Sequence, residues 1–510
     1  MKDKFTVQFL VFAAGFCLLW ILLPTYLQPA YRPDVVELQI ICKEWVLSTA
    51  KHPMLPAWIL EIVNLVTNDF FGAPFITAQL CVFVTLWGVW SFAKRTLSPK
   101  LALLGTLAIL PYWFFTIESI KFNQNIALIV FWTLAISWHF QAIQTNRLRD
   151  WIIVGIALGF AFHAKYSTIF LVVAILLYMT ICSLPRQRWK GIGPYLTTVI
   201  AFLIFLPQLI WLYQHDFLCF RYVEAGMEMR KVATSQLLDF IRCPLIFLMN
   251  QLLYITLPTL ILIPLLGRKW KARKAESNLQ EEARKYLIFM IGVPFGLHLL
   301  ICLVGRVQLT SDYGAVFWPF FGVFLLLSFQ TNTTPQTEKH LFRLFVFAEL
   351  VMVTLMFFQS VISPHITGTA RRFHFPMQAL GAAADQVWNE HLTEPCPFVT
   401  GDWWIAGNAA ITMKDRPRVL FYWTGIENMD TSPTGLWASD ADVNEKGGLV
   451  FWAIPGKDIT EVSDEDVPDY VFRRFPDAVV QSKPIVLPYQ TKAKIPPVQI
   501  GVAVVPSTSQ

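Results

Sequence analysis

The sequence predicts a polytopic α-helical membrane protein of about eleven transmembrane helices, followed by a small extracytoplasmic α/β domain. Three observations carry that prediction. Apolar residues make up 55% of the chain and charged ones only 15%, a balance unlike that of soluble domains. The apolar residues gather into runs near the 20 or so needed to cross a bilayer. The 42 Phe and 19 Trp suit lipid-facing surfaces and interfacial belts.

The runs fall roughly at 5–23, 73–93, 100–117, 124–142, 151–163, 166–183, 193–213, 243–266, 286–304, 314–330 and 341–363. The first follows MKDK, and no small-residue cleavage site precedes Pro24, so it reads as a retained helix rather than a signal peptide. The apolar stretch 151–183 is too long for one helix and is interrupted by His163, Lys165 and Tyr166. Splitting it there leaves 151–163 short, which is tolerable for a segment buried among other helices.

Charge orients the spans. With the amino terminus in the cytoplasm, the cytoplasmic segments hold 19 Lys and Arg, and the opposite loops up to the last span hold 10. That bias obeys the positive-inside rule. The loop 24–72, KFNQN (121–125), the 214–242 loop and the 305–313 loop then share the extracytoplasmic face. After about Ser363 the composition turns to Gly, Pro, Asp and short β-rich runs: PFVTGDWW, RVLFYW, GLVFWAI and PVQIGVAVVP. A helix fits 377–391, where Leu380, Ala383, Ala384 and Val387 recur at helical spacing. The predicted division is a membrane domain over 1–365, with its large first loop at 24–72, and an extracytoplasmic domain over 366–510.

A net charge of +6 is small for this length and gives no sign of nucleic acid as a partner; the apolar runs imply the lipid bilayer as one. The eight cysteines show no CxxC or Cys/His metal spacing, although Cys219 and Cys243 flank one outer loop and could pair. No P-loop, GxGxxG, HExxH or GxSxG occurs.

Candidate chemistry concentrates in the first loop. Asp34 and Glu37 stand three apart after Pro33, so a helix there projects both from one face. Such a pair suits a general base and its partner, or a cation site. A plainer reading is two carboxylates favoured by the helix dipole. KHPML (51–55) sets Lys51 and His52 before a proline and an apolar helix start, where free backbone N–H groups and two basic side chains suit a phosphate. The plainer reading there is an interfacial lysine reaching head groups. Lys121 and Lys165 each stand at the outer end of an apolar run. Lys165 is costly at that position unless paired with an anion. The partner could be a ligand or a carboxylate such as Glu118. His215, Asp216, Arg221 and Tyr222, then Arg306, Asp312 and Tyr313, close the outer ends of later spans. His52, His215 and Glu37 are the residues that could share a divalent metal.

Taken in order, the D-x-x-E of Asp34 and Glu37, KHPMLPAW, KFNQN, GFAFHAKYS, PQLIWLYQHDF and SDYGAVFWP resemble the GT-C class of membrane glycosyltransferases. The branch resembled is the bacterial one of the protein-mannosyltransferase-like family. The resemblance covers about residues 5–365 and departs at Met54, where the family commonly has a second proline. GDWWIAGNAA and DRPRV resemble the outer domain that follows in this branch. The resemblance implies a GT-C fold in a bacterial inner membrane, with the carboxy-terminal domain periplasmic. It implies inverting transfer of a sugar, hexosyl or pentosyl, from a polyprenyl-phosphate donor. The acceptor would be lipid A or lipopolysaccharide, another glycan, or a protein.

On that resemblance Asp34 is the base, and Glu37 a support that orients Lys51 or the acceptor. Lys51, His52, Lys165, Lys121, Arg221 and Arg306 bind donor phosphate, while Glu118, Asn123, Tyr166, His215 and Asp216 serve acceptor binding or support. Two other readings stand beside it: a transporter or flippase of lipid-linked sugars, and a non-catalytic scaffold. A flippase predicts internal pseudo-symmetry, and the chain shows no repeat.

Overall fold

The computed structural model describes residues 4–229, 236–266, 270–420, 437–454 and 459–508. From the amino end, α1 (Lys4–Leu27) precedes two shorter helices, α2 (Pro33–Ile41) and α3 (Leu55–Thr67). Next come α4 (Ala73–Thr96), α5 (Pro99–Leu107), α6 (Gln124–Thr145), α7 (Leu148–Ala164) and α8 (Ile169–Ile181). A short α9 (Ser183–Gln187) leads into α10 (Gly193–Gln214), α11 (Leu218–Met229), α12 (Gln236–Leu266) and α13 (Asn278–Gly305). The helices α14 (Phe321–Ser328), α15 (Pro335–Phe357) and α16 (Ser363–Thr367) complete the apolar part.

The chain separates into two compact units. Unit 1 comprises 1–23, 51–56 and 72–355; unit 2 comprises 24–50, 57–71 and 356–510. The first loop is therefore shared: most of it belongs with the carboxy-terminal residues, while 51–56 belongs with the helices.

In unit 1, each of the eleven expected apolar regions contains a helix, but they are not eleven equal spans. Among the described residues seven helices are long and apolar enough to cross a membrane. The count is eight if the stretch from Tyr166 to Lys190, bent by 87° at its break, is one span. Region 100–117 forms the nine-residue α5 followed by turns, and 314–330 forms only the eight-residue α14. The split at Lys165 is observed. The helix before it begins at Leu148, earlier than expected, and has 17 residues, about 25 Å of rise. It is not wholly interior either, because Leu148, Ile152 and Ile156 are exposed. The interior spans are α4 and α6, whose apolar windows are 67% and 78% buried, against 17% for α10. Around them Phe92 packs against Phe140, Tyr286 and Phe320. His163, buried near the end of α7, donates from Nε2 to Ile204 O on α10 at 2.8 Å.

Unit 2 is an α/β fold. Its later helices are α17 (Met377–His391), α18 (Trp403–Thr412), α19 (Asp440–Lys446) and α20 (Asp469–Arg474). Its strands are β1 (Phe398–Gly401), β2 (Arg418–Val419), β3 (Gly448–Ala453), β4 (Val479–Val480), β5 (Ile485–Leu487) and β6 (Val498–Val505). The sheet order is β2-β1-β3-β6-β4, with β5 also on β6. β1 is parallel to β2 and β3, and β6 is antiparallel to β3, β4 and β5. The expected helix over 377–391 is present, and β5 and β6 pair as an antiparallel hairpin that closes the chain. PFVTGDWW is only half strand: Asp402 accepts from Trp404 N and Ile405 N at 2.9 and 3.1 Å and so caps α18. The end of RVLFYW lies outside the described residues.

Candidate active site

Asp34 and Glu37 lie in unit 2. Pro33 opens α2 and Asp34 sits in its first turn, where a negative charge meets the helix N-terminus. Asp34 is half-buried and Glu37, one turn on, is buried. The approach to α2 is fixed by Tyr31, stacked 4.7 Å from Phe71 and donating to Phe71 O at 3.0 Å. It is fixed again by Ala30 N, which donates to Phe373 O at 3.1 Å. The far face of α2 rests on α18. Gly407 is needed there, because a Cβ would come within 2.5 Å of Ile40 and 2.9 Å of Val36.

Below Asp34 and Glu37 lies a polar cluster that the sequence reading did not anticipate. The Cys42 thiol donates to Glu61 Oε2 at 3.0 Å. Asn64 Nδ2 bonds the same oxygen at 3.2 Å and Gln39 Oε1 at 2.9 Å. Burial, then the Glu61 charge, pushes the Cys42 thiol well above its ordinary range. Glu44 takes Arg418, with Nη2 at 2.6 Å from Oε2, and Asp69 pairs with Arg416. Lys43 donates to the carbonyls of Arg416 and Pro417; burial and the Arg416 guanidinium pull its pKa down to about 8. These polar groups hold the DRPRV segment to the first loop. Their physical signal is weak in sequence, since partners lie hundreds of positions apart.

The basic candidates Lys51, His52, Lys121 and Lys165 lie in unit 1. Lys165 follows α7 in extended backbone (φ −164°), which breaks the helix and turns the chain. Its Nζ donates to Asn125 Oδ1 at 2.7 Å and stands 4.1 Å from the centroid of the Tyr313 ring. Glu118, the carboxylate weighed as its partner, pairs instead with Lys121 at 2.8 Å. Lys51 and His52 are half-buried. Burial and the charges of Lys51 and Lys165 lower the His52 pKa well below its ordinary value, so the imidazole is neutral in the unliganded protein. The helix after KHPML starts at Leu55, with Pro56 in its first turn.

The 305–314 loop is held by Gln251, whose Nε2 donates to Ser311 O at 3.0 Å and whose Oε1 accepts from Trp318 at 3.0 Å. Gly314 is required at that contact, as a Cβ would fall 1.8 Å from Gln251 Oε1. That support brings Tyr313 to Lys165. Asn125 and Tyr313 are therefore contributors missing from the expected set; Asn125 was visible only as the last letter of KFNQN.

Several expected residues have other work. Asn123 Oδ1 accepts from Asn125 N and Ile126 N and caps α6. Tyr166 accepts from Gln208 at 2.6 Å and donates to Cys219 Sγ at 3.5 Å. His215 donates from Nδ1 to Trp211 O at 2.8 Å and stacks on that indole, finishing α10, and Asp216 beyond it is exposed with φ 48°. Arg221 and Arg306 are exposed. Cys219 and Cys243 are buried free thiols, not a disulfide. Among the described residues no three His, Cys, Asp or Glu stand close enough to hold a metal ion, so the set of His52, His215 and Glu37 is not assembled.

Comparison with known proteins follows from this geometry. Residues 51–211 match the family described as dolichyl-phosphate-mannose-protein mannosyltransferase. That stretch includes Lys51, His52, Glu118, Lys121, Asn125 and Lys165. The whole chain resembles ArnT from Cupriavidus metallidurans bound to undecaprenyl phosphate, with TM-score 0.60, 11% identity, and coverage of 100% of this chain and 99% of that one. It resembles the apo state of the same enzyme with TM-score 0.57, 12% identity and 99% coverage of each chain. Among curated proteins no sequence match is found. The structural likeness gives the chain the GT-C fold expected from its motifs, and the family match supports a membrane glycosyltransferase.

Proposed function

We propose that the protein transfers a sugar from a polyprenyl-phosphate donor to a hydroxyl on an extracytoplasmic acceptor, with inversion at the anomeric carbon. The membrane is then a bacterial inner membrane, with the amino terminus cytoplasmic and the carboxy-terminal domain periplasmic. The acceptor is a lipid A or lipopolysaccharide, another glycan or a protein. The observation that carries the reading is the gathering of Lys165, Lys51 and His52: burial lowers the pKa of the imidazole, and both lysines act on it and lower it further. Basic groups set together beside membrane helices suit a lipid-linked phosphate, and residues 51–211, which hold all three, match the dolichyl-phosphate-mannose-protein mannosyltransferase family.

In this reading the Asp34 carboxylate takes the proton from the acceptor hydroxyl. The oxygen attacks the anomeric carbon from the face opposite the phosphate. The bond from that carbon to the phosphate oxygen breaks, and its electron pair leaves on polyprenyl phosphate. Charge grows on the departing phosphate in a poorly hydrated setting, where fixed cations act more strongly than in water. Lys165 and Lys51 supply them, with Lys121 nearby in sequence to the Asn125 support. His52, neutral beforehand, donates a hydrogen bond and gains charge as the phosphate arrives. Glu37 supports Asp34 from one turn along α2.

The test is sugar transfer in detergent from a synthetic polyprenyl-phosphate donor, following product and lipid phosphate together. Asp34→Asn should fold normally and lose about 10²–10⁴-fold in rate. Normal transfer by that variant would overturn the assignment. Movement of donor across a bilayer without release of lipid phosphate would favour a flippase.

A further inference from the structure

A cavity lies in unit 1, away from Lys165. Helix α10 packs along α7, while α8 leans on α13. Between α7, α8 and α10 this leaves an apolar cavity of about 230 Å³. Its floor is Trp151, Trp189 and Pro194, at the end of α7 opposite Lys165, and it rises to Phe162 and Phe205. From Trp151 to Phe162 is a rise of about 16 Å. An apolar cavity of about 150 Å³ already accepts a benzene-sized guest. Leu176 and Phe202 line it and are 44% and 51% exposed, so its mouth faces the lipid.

One lining residue does not fit an apolar guest. His139 is 1% exposed, and among the described residues its Nε2 has no hydrogen-bond partner. The other nitrogen determines which proton state it holds. Tyr286 donates its only hydroxyl proton to Ile136 O at 2.9 Å, so at 3.1 Å from His139 Nδ1 it accepts. The proton is therefore on Nδ1, and Nε2 presents a lone pair. Leaving a buried acceptor unmet is costly. The Thr197 and Thr198 hydroxyls on the lining already donate to Trp151 O and Pro194 O, so neither can give Nε2 a proton and the donor must come with whatever fills the cavity.

We infer that this cavity binds a single-chain lipid bearing a hydroxyl, entering from the leaflet opposite the candidate active site. The hydroxyl donates to His139 Nε2 near the floor, and the hydrocarbon chain runs upward between α7, α8 and α10. The requirement is for a donor; an ether or ester oxygen cannot satisfy Nε2.

The full-length protein in nanodiscs is photolabelled with a hexadecanol analogue carrying a mid-chain diazirine, and labelled peptides are mapped by mass spectrometry. Labelling should be saturable and concentrated within 151–205. Hexadecanol should compete about fivefold better than hexadecyl methyl ether, which lacks the donor. His139→Phe should erase that difference, and Ala201→Trp should abolish the labelling by filling the cavity. Equal competition by alcohol and ether in the native protein, or labels spread evenly over α1, α12 and α15, would overturn the inference.

Discussion

Two polar regions of the molecule are built on different principles. Around Glu61, Cys42, Asn64 and Gln39 acidic and neutral side chains match one another within unit 2. Around Lys165 in unit 1 basic groups gather: Lys165 holds Asn125 and faces Tyr313, and beyond the effect of burial, it and Lys51 both lower the His52 pKa. A closed network of buried groups stabilises a fold. Basic groups close enough to perturb one another mark a place suited to an anion. The first region is made by hydrogen-bond complementarity, the second by like charge.

The sharpest way to break the comparison is Lys165→Met. It should lower the rate of lipid-phosphate release about 10²–10³-fold, as loss of one fixed transition-state donor does elsewhere. Lys165→Arg should recover part of it, and single-turnover measurements in detergent would show both. An unchanged rate would make Lys165 a structural residue like Glu61. The reverse is expected of Glu61→Ala, which strands the Cys42 thiol and the Asn64 amide. It should cost about 2–3 kcal/mol of stability, read from a denaturation midpoint, while transfer per folded molecule stays the same.

A smaller effect tests the basic region more finely. His52 has its pKa depressed by burial and by Lys51 and Lys165. Bound phosphate favours the protonated ring, so phosphate binding takes up a proton. Affinity for polyprenyl phosphate should therefore rise as pH falls from 7.5 to 6. In the unliganded fold the sign is opposite: below the ordinary His pKa the unfolded chain takes the proton more readily, and stability falls. The second ionisation of the phosphate also lies near pH 6, so the informative quantity is the difference in slope between native protein and His52→Gln. Identical slopes would remove His52 from the phosphate's surroundings.

Much of this molecule is legible in sequence, for reasons that differ by region. Lys165 stands out because a lone cation between two apolar runs violates the usual cost of charge near lipid. The break at His163–Tyr166 is visible for the same reason. The pairing of Lys165 with Asn125 and Tyr313 is not visible, because it depends on where α6 and the loop after α13 bring their ends. The regions 100–117 and 314–330 are apolar enough to span, yet fold into short helices and turns; hydropathy registers composition, not continuity of hydrogen bonding. Glu61 gives no sign of its role, since nothing in LPAWILEIVNLVT points to Cys42 nineteen residues earlier. Arg418 is similarly silent about Glu44.

The make-up of unit 2 has a consequence for how the chain is made. Helix α2, which carries Asp34, buries Val36 and Ile40 against α18, and α18 is synthesised more than 350 residues later. At about 5–20 residues per second, translation from one to the other takes about 20–70 s. During that interval the apolar face of α2 has no native cover. The first loop must be kept from aggregating until the end of the polypeptide arrives. A nascent chain stopped before α18 would carry the proposed base on a helix still waiting for its support.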